Sequence, residues 1–295
     1  MSTLRRILKA LFALLLLWLI LVQTGCFSMR TAEKQWPADL AAKGQERPVR
    51  FIEAKSTTGR TMHAVTMDAT DSLPVVLAVH GSPGSADNYM DYFADTVFLK
   101  KVKLIAVDRP GFGWSGYGDP EPSLQKQAMD LLAVLDAEEP AKKVILVGHS
   151  LGGPLIARFA MDHPDRTAGL VIVAGSIDPD LEPRPWWQSR IDRAPLSWFI
   201  PRPMWTSNHE IMTLRYELQM MLPRWKNITC PVHVLHATDD QLVDFGNTAF
   251  AREHLVHADP LVVDTMHSGN HFILWNHRDR VRAAVFELID QQRVQ

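Results

Sequence analysis

VILVGHSLGG, at residues 144–153, is an apolar run that breaks abruptly into a glycine-flanked turn. Residues 144–147 are short, largely β-branched and uncharged, which is typical of a central strand buried on both faces. Helix-forming residues follow over 155–161. The pattern G-x-S-x-G between a buried strand and a helix predicts a sharp turn with a strained backbone at its serine. Ser150 is therefore the candidate nucleophile of this chain.

The composition is that of a globular protein with no affinity for nucleic acid. The chain has 295 residues, of which 46% are apolar and 22% charged, enough to bury one sizeable core. The formal net charge is −2, and no run of Lys or Arg is long enough for a nucleic-acid surface. The two cysteines, Cys26 and Cys230, predict neither a disulfide framework nor a zinc site, and no metal is expected.

The N-terminus has the layout of an export signal, because a basic segment precedes an uncharged apolar run over residues 10–22. Gly25 and Cys26 resemble the end of a bacterial lipobox, with Gln23 in place of the usual aliphatic residue, and imply a lipidated Cys26. An uncleaved anchor over residues 7–27 is the alternative, since roughly 20 apolar residues span a bilayer. Both alternatives predict a membrane partner and a location in the bacterial cell envelope, facing the periplasm or exterior.

The rest of the chain alternates between short apolar runs and helical patterns, which favours a parallel sheet covered on both faces. The first two strands are expected to form a hairpin at one sheet edge. Eight strands are predicted, over residues 49–54, 61–67, 75–79, 102–107, 144–147, 170–173, 232–236 and 261–263. Helices are predicted over residues 88–99, 123–137, 245–254 and 276–291, in addition to the one that follows Ser150.

Residues 177–226 interrupt this alternation and are interpreted as a cap. Five of the nine tryptophans fall here, namely Trp186, Trp187, Trp198, Trp205 and Trp225. A helix over residues 207–222 would place Ile211, Leu214, Leu218 and Met221 on one face. The tryptophans either line a hydrophobic pocket, form the cap's own core or contact a membrane. The predicted divisions are a signal or anchor over 1–25, a polar tether over 26–48, a core over 49–176 and 227–295, and the cap.

Four motifs make the chain resemble the α/β-hydrolase superfamily, in its form of serine hydrolases with a cap domain. They are HGSPG at 80–84, DRPGFGWS at 108–115, GHSLGG at 148–153, and the pair HATDD at 236–240 with NHF at 270–272. Their order respects the family's sequence of nucleophile, acid and histidine. The resemblance covers the chain from about residue 49 onward. It implies an α/β fold with a mostly parallel eight-stranded sheet, helices on both faces and a helical cap inserted after strand six.

The resemblance also implies the partners of the nucleophile. His271 would be the general base, although Asn270 replaces the glycine usual before it, and His267 is the competing histidine. Asp240 would be the acid, because the family pattern Gly-x-x-Asp aligns on it with Ala237 in place of the glycine. Its neighbour Asp239 would then be a turn or capping residue. A more remote alternative for the acid is Asp178, after the sixth strand.

Backbone N–H groups should stabilise the oxyanion, so the side chains say little about this part of the site. By the same resemblance the donors are Ser82, in HGSPG, and Leu151, directly after the nucleophile. The residues expected to contact substrate are His80, Gly81, Trp186 and Trp187.

These residues predict a serine hydrolase that cleaves a hydrophobic small-molecule carboxylic ester through an acyl-enzyme, without a cofactor. Serine at position 150 argues against epoxide hydrolases and haloalkane dehalogenases, whose covalent ester needs a carboxylate. Carbon–carbon bond hydrolases, perhydrolases and amidases of the same fold remain alternatives. A catalytically silent binding protein is the alternative from another class.

Overall fold

A computed structural model describes residues 2–24, 27–183 and 185–292 of the chain. Eight strands form one sheet: β1 (Val49–Lys55), β2 (Thr61–Met67), β3 (Val75–Val79), β4 (Lys103–Asp108), β5 (Val144–His149), β6 (Thr167–Val173), β7 (Val232–Ala237) and β8 (Leu261–Met266). Their spatial order is β1-β2-β4-β3-β5-β6-β7-β8. β2 pairs antiparallel with β1 and β4, whereas all other pairs are parallel. The predicted fold class is confirmed.

Helices cover both faces of this sheet and form the insertion between β6 and β7. In the described part of the chain they are α1 (Ser2–Gln23), α2 (Trp36–Ala42), α3 (Met90–Ala94), α4 (Thr96–Leu99), α5 (Leu124–Glu138), α6 (Gly152–Asp162), α7 (Gln188–Ile191), α8 (Arg202–Met221), α9 (Asn247–His254), α10 (Ile273–Asn276) and α11 (Arg278–Gln292). The predicted cap after strand six therefore contains α7 and α8.

The core consists of two apolar layers, one on each face of the sheet. β3, β4 and β5 are buried at every position, as expected for strands covered on both sides. Side chains of α5 and α6, such as Leu131 and Phe159, pack on one face. Side chains of α3 and α11, such as Phe93 and Leu288, pack on the other. The two layers hold the carboxyl ends of the parallel strands, where the site lies, in a fixed register.

The predicted single helix over residues 88–99 is wrong, because the chain breaks there into α3 and α4. Asp95 separates the two helices with extended backbone torsions. Its Oδ1 accepts hydrogen bonds from the N–H groups of Val97 and Phe98, at 2.9 and 3.0 Å. An aspartate that caps a helix in this way starts a new helix, and the apolar spacing alone does not reveal the break.

The segment before β1 differs from the predicted polar tether, because much of it packs against the core. Trp36 and Leu40 of α2 are buried in the same layer as Phe93. Further upstream, the guanidinium of Arg30 lies 3.9 Å from the ring centroid of Trp114. These contacts hold residues 30–40 on the surface of the folded domain.

The apolar N-terminal helix contacts the cap. The indole N–H of Trp18 in α1 donates a hydrogen bond to the carbonyl of Phe199, at 3.1 Å. Cys26, the predicted lipidation site, lies outside the described residues. Within the described ranges, no helix combines the length and the apolar character needed to cross a membrane.

Candidate active site

The predicted strained turn at Ser150 is confirmed. Ser150 follows β5 and has a φ of 53°, in the left-handed region that non-glycine residues rarely adopt. A Cβ on Gly148 would lie 2.3 Å from the carbonyl oxygen of Gly152, and one on Gly152 would lie 2.4 Å from that of Val79. The two glycines are therefore required by close backbone approach. The turn sets Ser150 directly before the N-terminus of α6.

His271 and Asp240 form a hydrogen-bonded pair beside this turn. His271 lies in a short 3₁₀ turn after β8, and Asp240 lies in the loop after β7. The Nδ1 of His271 and the Oδ2 of Asp240 are 2.8 Å apart. A hydrogen bond from Nδ1–H leaves Nε2 of a neutral ring as its acceptor. Ser150 and His271 line the same cavity, so the structure brings together the three residues singled out in the sequence.

The carboxylate of Asp240 is kept ionised by its surroundings. Its side chain is fully buried, and burial by itself would raise the pKa. Hydrogen bonds from His236, His271 and the backbone of Val243 outweigh burial and hold the pKa of Asp240 well below its usual value. The carboxylate thereby fixes the orientation of the His271 ring through Nδ1. His236, the first residue of the HATDD motif, has its Nε2 3.4 Å from Oδ2 of Asp240, a contact that the motif does not predict.

The alternative candidates for the acid and the base lie outside the hydrogen-bonded pair of His271 and Asp240. The Oδ1 of Asp239 accepts a hydrogen bond from the backbone N–H of Asn270, at 2.8 Å, so it ties the β7 loop to the histidine loop. The Oδ1 of Asp178 accepts from the backbone N–H of Asp180. His267 is exposed and is not among the residues that line the cavity.

His149, next to Ser150, supports the histidine loop. Its Nε2 donates a hydrogen bond to the backbone carbonyl of His271, at 3.0 Å, and the two rings are 4.8 Å apart. Burial, followed by the proximity of His271, lowers the pKa of His149 to about 3. A ring that stays neutral at physiological pH keeps this loop contact without adding charge beside His271. No pattern in the sequence predicts this contact of His149.

The two residues expected to supply the oxyanion donors lie at the cavity. Ser82 and Leu151 both line the cavity with Ser150. A Cβ on Gly81 would lie 2.9 Å from the Cβ of Ser150, so the HGSPG loop passes directly beside the nucleophile. Within the described chain, neither the Ser82 nor the Leu151 N–H donates a hydrogen bond to another residue. Both donors are therefore available to a ligand.

The cavity around these groups has a volume of about 430 Å³, in the range of small-molecule sites. Its cap wall comes from Met204, Ile211 and Leu214 of α8, which agrees with the helix face expected from the sequence. Polar groups at another wall include Ser176 and Glu182. The cavity thus combines an aliphatic wall with a few polar side chains.

Two sets of predicted substrate contacts are corrected by the structure. His80 is fully buried and lies outside the cavity lining. Its Nδ1 donates to the carbonyl of Gly81 at 2.6 Å, and its Nε2 accepts from the backbone N–H of Arg109 at 2.9 Å. Burial and the charge of Arg109 lower its pKa well below the usual value. His80 therefore supports the loop from inside the core, whereas Gly81 does line the cavity.

Trp186 and Trp187 are the second correction. Their side chains are 73% and 45% exposed, and neither lines the cavity. They precede α7 on the outer part of the cap, while α8 supplies the inner wall. Trp225 does not line the cavity either, because it is buried in the main core against Phe250. The tryptophan-rich composition of the cap therefore does not describe the cavity.

The DRPGFGWS loop acts as scaffold. The Oδ1 of Asp108 accepts from the backbone N–H of Ala86 at 2.7 Å, and its Oδ2 accepts from that of Trp114 at 2.9 Å. Gly113 has a φ of 50°, and a Cβ there would lie 2.0 Å from the carboxyl carbon of Asp108. The glycine is required because the loop wraps around this carboxylate.

An elbow serine, a histidine–carboxylate pair and two free backbone donors at the carboxyl ends of parallel strands define a site suited to acyl transfer. The Alpha/beta hydrolase family matches residues 75–284, and the chain belongs to that family. The matched range includes all three residues of the constellation.

The chain is similar to several known proteins. The chain is 25% identical over 167 residues to a 1-acylglycerol-3-phosphate O-acyltransferase of Arabidopsis thaliana, covering 54% of this chain and 39% of that protein. It is 30% identical over 116 residues to epoxide hydrolase B of Mycobacterium tuberculosis, covering 38% and 32%. The matched part spans less than half of either relative. A membrane phospholipase A, a bacterial virulence factor, has a similar structure with a TM-score of 0.64 at 16% identity, covering 99% of both chains.

Proposed function

We propose that this protein is a serine hydrolase that cleaves neutral carboxylic esters through an acyl-enzyme intermediate. The observation that carries the proposal is the 2.8 Å bond between His271 and a fully buried, ionised Asp240, in the cavity that Ser150 lines from its strained turn. Such an arrangement supplies a base of fixed tautomer next to a hydroxyl, which nucleophilic catalysis by serine requires.

In the proposed reaction, the Oγ of Ser150 attacks the acyl carbon while Nε2 of His271 takes the hydroxyl proton. The N–H groups of Ser82 and Leu151 stabilise the oxyanion of the tetrahedral intermediate. The imidazolium, stabilised by Asp240, returns the proton to the leaving alcohol. A water molecule then attacks the acyl-enzyme by the same route in reverse, which releases the carboxylic acid and restores Ser150.

The nucleophile argues against the chemistry named for one relative. Epoxide hydrolysis in this superfamily proceeds through an ester on a carboxylate, and position 150 is a serine. Acyl transfer to a glycerol phosphate, as the name of the Arabidopsis relative states, uses chemistry closer to that proposed here. A phosphate-bearing substrate would nevertheless need a cation, and none of the described residues that line the cavity is Lys or Arg.

The charge of the cavity indicates which esters it accepts. The carboxyl of Glu182 lines the cavity, is 8% exposed and accepts a hydrogen bond from the Oγ of Ser176. Burial, followed by the nearby charge of Asp178, raises the pKa of Glu182. Asp244 adds a second acidic side chain to the lining. Where they are ionised, which for Glu182 means above its raised pKa, these carboxyl groups repel an anionic ester, and both accept hydrogen bonds from neutral or cationic groups.

We therefore expect the purified protein to hydrolyse neutral esters and to discriminate against anionic ones. Two pairs of esters test this, each with a neutral and an anionic member of similar size. In the first pair, p-nitrophenyl butyrate and p-nitrophenyl hemisuccinate, the charge lies on the acyl part. In the second, 3,3-dimethylbutyl butyrate and 2-sulfoethyl butyrate, it lies on the alcohol part. In at least one pair, kcat/KM for the neutral ester should exceed that for the anion by about tenfold or more. Glu182→Gln should narrow this ratio several-fold, because it removes the charge and keeps the shape.

Glu253→Gln, at an exposed position of α9, is the matched control and should leave both ratios unchanged. Equal rates for neutral and anionic esters in both pairs would contradict the proposed charge preference. Hydrolysis of neither neutral ester by a folded protein would contradict the proposed function itself.

We also propose that the protein is attached to a membrane through its N-terminal segment, by a lipid on Cys26 or by the uncleaved apolar helix. The basic residues followed by an uncharged apolar run support this proposal. Mass spectrometry of the protein isolated from bacterial membranes should find a mature chain that begins at a lipidated Cys26. An intact Met1 peptide would instead support the anchor. Recovery of the whole unmodified chain in the soluble fraction would contradict both forms of attachment.

A further inference from the structure

A buried arginine holds the loop that carries one oxyanion donor. Arg109, directly after β4, is fully buried. Its Nε donates a hydrogen bond to the carbonyl of His80 at 2.9 Å, and its Nη2 donates to the carbonyl of Gly81 at 3.0 Å. The Gly81 carbonyl and the Ser82 N–H belong to one planar peptide group. Fixing the carbonyl of Gly81 therefore fixes the direction of the Ser82 N–H.

The partner of this arginine comes from the cap. Glu210 in α8 has a side chain only 2% exposed. Its Oε1 and Oε2 accept from Nη1 and Nη2 of Arg109 at 2.8 and 2.9 Å, a bidentate pair. Oε2 also accepts from the Oγ of Ser82 at 2.7 Å, and Oε1 accepts from Nε2 of Gln127 at 2.9 Å. One cap carboxylate thus touches both the oxyanion loop and the arginine that fixes it.

We infer that Glu210 is a positioning residue for the oxyanion hole, so that docking of the cap is required for turnover even of substrates too small to touch the cap. This inference rests on the proposed function. Without Glu210, Arg109 would keep a buried charge without its carboxylate partner. The guanidinium would reorient or draw in water, and the Gly81–Ser82 peptide would lose the contacts that aim its N–H.

The Arg109–Glu210 pair differs in its role from a buried ion pair that only stabilises the fold. Lys103 forms a buried ion pair with Glu139, with Nζ and Oε1 2.7 Å apart and side chains about one-tenth exposed, and its Nζ lies at the same distance from Oε1 of Glu138. Lys103 is the first residue of β4, at the strand end opposite to Arg109. Loss of this pair should lower stability without moving the oxyanion loop.

The test compares Glu210→Gln with Glu139→Gln on p-nitrophenyl acetate. We expect Glu210→Gln to lower kcat by about 10- to 100-fold with KM changed by less than about threefold, because a misaligned donor acts in the transition state. Glu139→Gln should keep kcat within about twofold, although both variants unfold at lower temperature. Ser82→Ala, which removes only the hydroxyl contact with Glu210, should lower kcat about three- to tenfold without a comparable loss of stability.

A folded Glu210→Gln protein with wild-type kcat would overturn the inference. Should Glu210→Gln fail to fold, wild-type kcat in Ser82→Ala would overturn it instead. Hydrogen–deuterium exchange supplies a readout independent of activity: the backbone N–H of Arg109, which donates to Nε2 of His80 at 2.9 Å, should exchange at least about tenfold faster in Glu210→Gln than in Glu139→Gln. Equal exchange would contradict the inference, whereas absence of wild-type turnover would contradict only the proposed function.

Discussion

Replacement of Ser150 by alanine is expected to lower kcat for p-nitrophenyl butyrate by about 10⁴- to 10⁶-fold. The magnitude follows from serine hydrolases in which the nucleophile acts as a unit with its histidine, so that its loss removes the covalent route altogether. Alanine keeps the Cβ and meets the same backbone constraint at a φ of 53°, so the turn should be retained. Steady-state kinetics together with the thermal unfolding midpoint would check both expectations.

Ser123→Ala is the control for serine replacement in general. Ser123 precedes α5, makes no side-chain capping hydrogen bond and does not line the cavity. This variant should keep kcat within about twofold. A folded Ser150→Ala protein that retained more than about a tenth of wild-type turnover would contradict the assignment of the nucleophile.

Replacement of His271 by alanine should have an effect of similar size, a loss of about 10⁴-fold or more in kcat. His271 is the only histidine of the described chain whose ring contacts the Asp240 carboxylate from within the cavity. Removing it leaves Ser150 without a base and Asp240 as a buried charge with fewer hydrogen bonds. The loss should appear in kcat, while KM changes little, because the cavity wall is otherwise kept.

His267→Ala distinguishes the two candidate histidines. His267 is exposed and lies outside the cavity lining, so its replacement should leave kcat within about threefold of wild type. The opposite result, with His267→Ala inactive and His271→Ala active, would reassign the base and with it the acid that orients it.

The proposed catalytic constellation could be predicted from the sequence because each of its members lies at a strand end with a recognisable local pattern. Ser150 sits between glycines that close backbone approach requires. Asp240 and His271 occupy loops after consecutive strands, β7 and β8, which are neighbours in the sheet. Parallel strands bring such loops to the same edge, so their order along the chain already implies their proximity in space.

Other parts of the site could not be predicted, because they depend on contacts that local patterns do not encode. The orientation of His80 depends on the backbone of Arg109, and a motif position alone does not reveal whether its side chain faces the cavity. Trp186 and Trp187 suggested an aromatic pocket by composition, yet the helix that covers the site is α8. Ile211 and Leu214, by contrast, do line the cavity. Their helical spacing is a better predictor of the cavity wall than the tryptophan content, because periodicity indicates which side chains share one face of a helix.

The contact between Glu210 of the cap and Arg109 beside the oxyanion loop is another that local patterns do not encode. Glu210 lies 101 positions after Arg109, and within α8 it is one acidic residue among several polar ones. A glutamate in a helix is usually solvated, so nothing in its neighbourhood distinguishes it from an exposed residue. Only the three-dimensional structure shows that its carboxylate is buried and fully engaged.

The most direct test of the central claim is labelling by a fluorophosphonate probe, which reacts with an activated serine. We expect the purified, folded protein to form one adduct, which mass spectrometry maps to Ser150, and we expect Ser150→Ala and His271→Ala to prevent it. A folded protein that remains unlabelled, or one labelled at another residue, would contradict the account.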